Sequence, residues 1–112
     1  MKTEEYESVK KWFTEGDYED TTAKKYVEYM DTFCYILNMT PDELANLSPE
    51  QALEAQIKLA TILKEKLHFR EVTVHMRITV LHSFWRYNGL ELTEPIKTFA
   101  GTSWLKRKKW VK

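Results

Sequence analysis

Residues 72–89 read Val72-Thr-Val-His-Met-Arg-Ile-Thr-Val-Leu-His-Ser-Phe-Trp-Arg-Tyr-Asn-Gly89. At about 100° per residue, Val74, Ile78, Leu81 and Trp85 fall on one line. Val80, Phe84, Met76 and Tyr87 widen that line into a broad apolar arc. The spacing predicts one long, mostly buried helix. What stays outside the arc is a narrow strip carrying His75, Thr79, His82, Ser83 and Arg86. Positions 75, 79, 82 and 86 share one side of a helix. The strip contains no acid, although the chain is rich in Glu. A face that is merely solvated is expected to mix signs. The open side of this helix therefore offers hydrogen-bond donors and fixed or titratable positive charge, which points to a polyanion as its partner.

The rest of the composition bounds the setting. At 112 residues the chain is sized for one domain with a single core, and 43% hydrophobic with 13% aromatic residues excludes a disordered tail. Three Gly and three Pro argue against a loop-rich β-sandwich or barrel. Cys34 is the sole cysteine, so no internal disulfide forms, and a reducing, cytoplasmic setting is expected. The opening residues, M-K-T-E-E-Y-E, lack the apolar core of a signal peptide, and no apolar run is long enough to span a membrane.

The formal net charge of zero conceals a division. Residues 1–56 hold 5 Lys and Arg against 13 Asp and Glu, whereas residues 57–112 hold 12 against 4. Asymmetry of this size suggests a nucleic-acid or acidic-surface partner for the basic half. The alternative is that folding brings the halves together and mixes their charges.

Taken in order, the chain reads as helices separated by short breaks. Glu4 to Thr14 places Tyr6, Val9 and Phe13 on one face with Trp12 beside them, and Gly16-Asp17 ends it. A second helix spans about Thr22 to Asn38, capped by Asp20 or Thr21. Its apolar stripe is Ala23, Tyr26, Val27, Met30, Phe33, Cys34 and Leu37, and its outer face carries Lys24, Glu28, Asp31 and Tyr35. Free amides, the helix dipole, Lys24 and Lys25 would favour an anion at its N-terminus; the alternative is ordinary surface lysines. Thr40-Pro41-Asp42-Glu43 is a capping box that opens a short helix. Ser48-Pro49-Glu50-Gln51 repeats the device and opens a longer helix to about Leu67, with Leu53, Ile57, Ala60, Leu63 and Leu67 facing inward. Glu54, Lys58, Thr61 and Glu65 form its mixed-sign outer face. Thr73 is the expected cap of the long helix that follows, and Asn88-Gly89 its end. Glu94-Pro95-Ile96 would start a last short helix to about Phe99. Ala100 to Ser103 reads as a hinge, ahead of a basic tail from Trp104 to Lys112. No segment shows strand alternation. The expected fold is all-α, four main helices in two helical hairpins.

Catalytic and metal signatures are missing. There is no glycine-rich phosphate loop and no H-E-x-x-H. His75 and His82 stand seven residues apart, about 10 Å along a helix, too far to share a metal without another element. Cys34 lies on a core stripe, which suits packing rather than nucleophilic attack. No metal, cofactor or catalytic group is expected.

Several of these residues resemble a known pattern. Thr22-Ala-Lys-Lys-Tyr26, followed by Met30 and Phe33, is similar to the T-x-x-x-Y-x-x-x-L-x-x-F signature of the N-terminal, SAM-like core-binding domain of tyrosine recombinases (phage integrases). Thr79-Val-Leu-His-Ser-Phe-Trp85, with Tyr87-Asn88-Gly89 after it, resembles the "S-A-L-R-x-F-Y" run of a later helix in that domain. Asn38 to Leu44, N-M-T-P-D-E-L, sits where members carry a P-x-x-L turn. The resemblance covers residues 6–99. Glu19 replaces the family's serine three positions before the threonine. His82 stands where members often carry arginine, which makes the charge there depend on pH.

The resemblance implies a four-helix core-binding domain over residues 1–100 and a basic linker or tail over 101–112. Such a domain clamps one side of duplex DNA at a recombination core site, and the helices like Thr22–Asn38 and Val72–Asn88 approach the major groove. A separate C-terminal catalytic domain would complete the parent protein, with several copies assembling on DNA, and no catalysis is expected from these 112 residues. Lys24, Lys25, Arg70, Arg86 and the tail residues Lys106, Arg107, Lys108 and Lys109 would mostly contact phosphates. His75, Thr79 and His82 would meet the groove or its rim, the alternative for the histidines being plain surface. The competing function is a helical protein–protein interaction module, whose acidic and basic halves pair with another copy or a partner.

Overall fold

The structure is a computed structural model that describes residues 2–90. The expected last helix, the hinge and the basic tail with Lys106, Arg107, Lys108 and Lys109 lie outside the described residues. Within them the chain is all-α and shows no strand. A single 3-10 turn, Thr3–Glu5, precedes α1 (Glu7–Gly16), α2 (Asp20–Leu37), α3 (Pro41–Ala45), α4 (Pro49–Glu65) and α5 (Glu71–Tyr87). No described helix is long and apolar enough to cross a membrane.

Helix boundaries follow local chemistry. Both predicted capping boxes form: Thr40 and Ser48 accept from the backbone of Glu43 and Gln51, and the Glu43 and Gln51 side chains accept in return from the cap amides. Asp17 and Asn38 adopt the left-handed conformation that ends α1 and α2, and Gly89 (φ +88°) follows the end of α5. Three expected starts differ. The first helix begins at Glu7, because the chain extends at Tyr6 and leaves Thr3–Glu5 as a separate turn. The residues before α2 and α5 are Glu19 and Arg70, neither of which supplies a side-chain cap. Thr73 therefore lies inside α5 rather than capping it.

One amide at the start of α1 is satisfied from a distance. Ser8 donates both its backbone N–H (3.1 Å) and its hydroxyl (2.7 Å) to Asp42 Oδ1 of α3. The first turn of a helix has no internal partner for such an amide. Asn88 donates to the Ser8 carbonyl at 3.1 Å, joining the end of α5 to the same corner.

The core assembles around α5. Val74, Ile78, Val80, Leu81, Phe84 and Trp85 are buried, as the spacing predicts. Trp85 donates its indole N–H to the Leu44 carbonyl of α3 at 3.0 Å. α4 and α5 form an antiparallel pair: Lys64 meets Glu71 near the turn, and Gln56 meets His82 farther along. The first expected hairpin is different. α1 lies against α5 and α3, antiparallel to α5, while α2 packs against α4. α1 and α2 meet through aromatic rings, with Trp12 and Tyr26 stacked at 5.2 Å and 3° between planes. Trp12 also meets Phe84 edge-on at 5.3 Å.

The turn between α1 and α2 is closely packed. A Cβ at Gly16 would sit 2.4 Å from the ring of Tyr18, so a side chain there would force that ring to move.

Two faces depart from the sequence reading. On α4 the buried residues are Ala52, Ala55, Gln56, Leu59, Ala60 and Leu63, while Leu53 and Ile57 are half-buried and Leu67, past the helix end, is 46% exposed. Small alanines let α4 approach its neighbours, which leaves Leu53 and Ile57 at the rim while Leu59 and Leu63 stay buried. On α5, Met76 is 43% exposed and does not join the buried arc.

Replacing Asp42 with Ala removes the acceptor of both Ser8 bonds. Chemical denaturation should show a loss of about 1–3 kcal/mol, and Ser48→Ala a loss of about 1 kcal/mol through its cap.

Candidate nucleic-acid interface

The open face of α5 is set by what covers its other sides. Ser83 is drawn inward: its hydroxyl lies 2.8 Å from Tyr18 Oη and accepts from the Trp12 indole N–H at 3.2 Å. It leaves the polar strip and becomes part of the contact with α1. On the opposite edge, His82 Nε2 is hydrogen-bonded to Oε1 of Gln56, a fully buried side chain of α4. Between these edges Thr79 and Arg86 are exposed and His75 is half-buried. Val72 (62% exposed) and Met76 lie on the same open side, toward the helix start.

Charge on this face is concentrated at Arg86. Its guanidinium is exposed and lies 5.4 Å from the Tyr87 ring centroid. His82 is held mostly neutral at pH 7. Burial lowers its proton affinity below the ordinary imidazole value, and the nearby Arg86 and His75 add to the effect. Thr79 donates its hydroxyl proton to the His75 carbonyl at 2.9 Å, so toward solvent it presents acceptor lone pairs. The face from His75 to Arg86 carries no acid. It is about 16 Å long, comparable with a major groove about 12 Å wide.

The other candidates stand apart from this strip. Arg77 projects from α5 about 160° away from His75, and its guanidinium lies 4.3 Å from the Tyr29 ring of α2. α2 therefore flanks the side of α5 opposite the strip. Lys24 and Lys25 are exposed in the first turns of α2. Lys24 borders a shallow hollow of about 330 Å³ together with Glu4, Phe13, Asp20, Ala23 and Val27. Two acids there offset the attraction of the helix N-terminus for an anion. Arg70 is exposed at the start of α5. It stands about 24 Å along the axis from Arg86, beside the Lys64–Glu71 ion pair at 2.8 Å.

Two polar residues that the sequence reading left unassigned prove central. Gln56 occupies a core position on α4. Its signal was a polar residue at apolar spacing between Ala52 and Leu59, where burial demands a hydrogen-bond partner. Arg77 lies among aromatic rings, with Phe69 4.6 Å from its guanidinium, and its Nε is buried without a hydrogen bond. A lone cation inside an apolar run gave no indication of which rings it would find.

Ser8 and Asp42 border a polar hollow of about 290 Å³ with Glu7, Lys11, Ala45, Asn46 and Asn88, but no histidine lies among these residues. Burial pushes the Cys34 thiol up to about 12, with Asp31 and Glu43 adding to the shift, so it is protonated at neutral pH. Among the described residues no three His, Cys, Asp or Glu side chains group as metal ligands would.

No protein-family model matches the sequence, and no curated protein or solved structure shows significant similarity to it.

The lowered proton affinity of His82 has a stability consequence. The unfolded chain binds a proton near pH 6.5 that the folded chain resists, so stability is retained above that pH and falls as pH drops through it. Thermal melts of the wild type and His82→Gln from pH 7.5 to 5.5 should show the stability difference shifting in favour of the variant below about pH 6.5.

Proposed function

We propose that this chain is a non-catalytic DNA-binding module of the kind found at the N-terminus of tyrosine recombinases, holding duplex DNA against the open face of α5. One observation carries the reading: α5 is covered on its other sides, and the face left open holds His75, Thr79 and Arg86, with His82 at its edge and no acid. The all-helical architecture is compatible with the four-helix core-binding domain that residues 6–99 resemble. Its SAM-like arrangement, and a catalytic domain elsewhere in a parent protein, belong to the same proposal.

Charge distribution governs how the module would work. Residues 2–90 carry 11 Lys and Arg against 15 Asp and Glu, so the body as a whole repels a polyanion. The acids lie mainly on α1 to α4 and in the turns between them. A duplex would be steered toward the acid-free strip of α5 and toward the basic residues 106–109. Arg86 would contact phosphate, and Thr79 and His75 would meet the groove or its rim. Half a clamp with few phosphate contacts binds weakly and with marked salt dependence.

A second reading rests on a different surface. Leu67, Val72 and Met76 are exposed around the α4–α5 turn and the first turns of α5. Apolar side chains grouped this way suit a protein partner. With the acidic and basic halves pairing across the same contact, the chain under that reading self-associates in a salt-sensitive manner and does not retain duplex DNA.

Fluorescence anisotropy with a labelled duplex separates the two. Arg86→Glu should weaken binding to any duplex sequence by about tenfold or more, as loss of a charge-assisted phosphate contact at 1.5–3 kcal/mol requires. It should also make the salt dependence shallower by about 0.9 in log–log slope. Lys24→Glu, at the exposed N-terminus of α2, should also weaken binding. Unchanged binding in Arg86→Glu would remove the basis of the DNA reading.

A further inference from the structure

The ridge on α5 contains two histidines and an arginine, and the histidine nearest the arginine is tied to a buried amide instead of a carboxylate. We propose that His82 is a proton-controlled phosphate contact: when neutral it leaves Arg86 as the fixed cation of the strip, and when protonated it adds a second charge for the backbone of a duplex. This rests on the DNA-binding reading above.

Gln56 makes the change of charge compatible with an unchanged core. It is fully buried on α4, and its amide oxygen faces His82 Nε2. A neutral imidazole protonated at Nε2 donates to that oxygen, and so does the doubly protonated ring. A carboxylate at 56 would hold the ring charged and cancel that charge. An apolar side chain would leave a ring nitrogen without a partner. An amide permits the proton to come and go while the ridge gains the full charge.

The surroundings oppose protonation without a bound anion. Arg86 and His75, on the same helix, both disfavour the charged ring, and burial disfavours it most. From α4 the ring meets the neutral Gln56, and the neighbouring charged residues Glu54 and Lys58 are exposed. The α3 carboxylates are engaged elsewhere, Asp42 with Ser8 and Glu43 with the Thr40 amide. On the α1 side Ser83 faces Trp12 and Tyr18. A phosphate laid along the strip reverses this balance, because it attracts the charge that Arg86 and His75 repel. By linkage the duplex then takes up a proton as it binds, and binding tightens as pH falls.

The test uses the full 112-residue chain and a mixed-sequence duplex of about 20 base pairs, enough to span roughly two helical turns. Affinity is measured against salt at pH 5.5 and 7.5, and the His82 ring is titrated by NMR with and without duplex. The wild-type salt slope should steepen between pH 7.5 and 5.5 by about 0.9 more than that of His82→Gln. The duplex should also raise the pH at which the ring titrates. His82→Arg should give the steeper slope at both pH values, and it keeps the test decisive if His82→Gln does not fold. Equal steepening in wild type and His82→Gln overturns the proposal, as does a ring titration that bound duplex leaves unmoved. In either case the DNA reading survives. Absence of duplex binding at both pH values, with the ring still titrating normally, brings down the DNA reading and this proposal together.

Discussion

The placement of every α5 side chain depends on the indole of Trp12. It is fully buried, it stacks on Tyr26 of α2, and it meets Phe84 of α5 edge-on. Its N–H is the only donor it carries, and burial without a partner would cost about 1–3 kcal/mol. Tyr18 and Ser83 supply that partner together, each oxygen 3.2 Å from the indole nitrogen. The bond to Ser83 sets the rotation of α5 about its own axis. With Ser83 turned toward α1, the residues at 75, 79 and 86 turn outward by helical geometry alone. The same rotation brings His82 to the α4 edge, where Gln56 receives it. A structural bond between a buried indole and a half-buried hydroxyl thus helps determine which residues a partner can reach.

This arrangement gives the two ends of the strip different characters. Near Arg86 the surface is cationic, and the helix end is closed by the Asn88 and Gly89 turn. Near the start of α5 the open side is apolar, with Val72 and Met76 exposed beside His75. A DNA groove offers both kinds of contact, phosphates at its edges and thymine methyl groups on its floor. A protein surface would favour the apolar end. The acid-free stretch between Thr79 and Arg86 is the part that a polyanion would favour and an apolar partner would not need.

Much of the fold was legible because its signals are local. The capping boxes at Thr40 and Ser48, the breaks at Asp17 and Asn38, and the apolar arc of α5 all depend on residues a few positions apart, and each appears where the sequence placed it. What was not legible depends on residues distant in sequence. The turn of α1 onto α5 and α3 requires the Ser8–Asp42 and Trp12–Ser83 bonds, which join positions 34 and 71 apart. The face that α4 buries follows from close approach at Ala52, Ala55 and Ala60, and alanine alone does not announce which helix will come near. Within the strip, Thr79 and Arg86 are exposed and His75 is half-buried. Its edges, Ser83 and His82, were claimed by α1 and α4, because a polar residue at the border of an apolar arc goes to whichever neighbour can bond it. The packing of α2 beside α5, with Tyr29 against Arg77, likewise joins residues 48 positions apart.

The glycine before Tyr18 carries this logic to a residue that touches none of the ridge. One methyl group at position 16 would collide with the Tyr18 ring, and that ring could give way only by withdrawing its hydroxyl from Trp12 and Ser83. The displacement would reach α5 as a loosened hold on its orientation, felt first at the surface that Arg86 presents. The last residue of α1, with no side chain of its own, thereby acts as the shim that sets the bearing of α5.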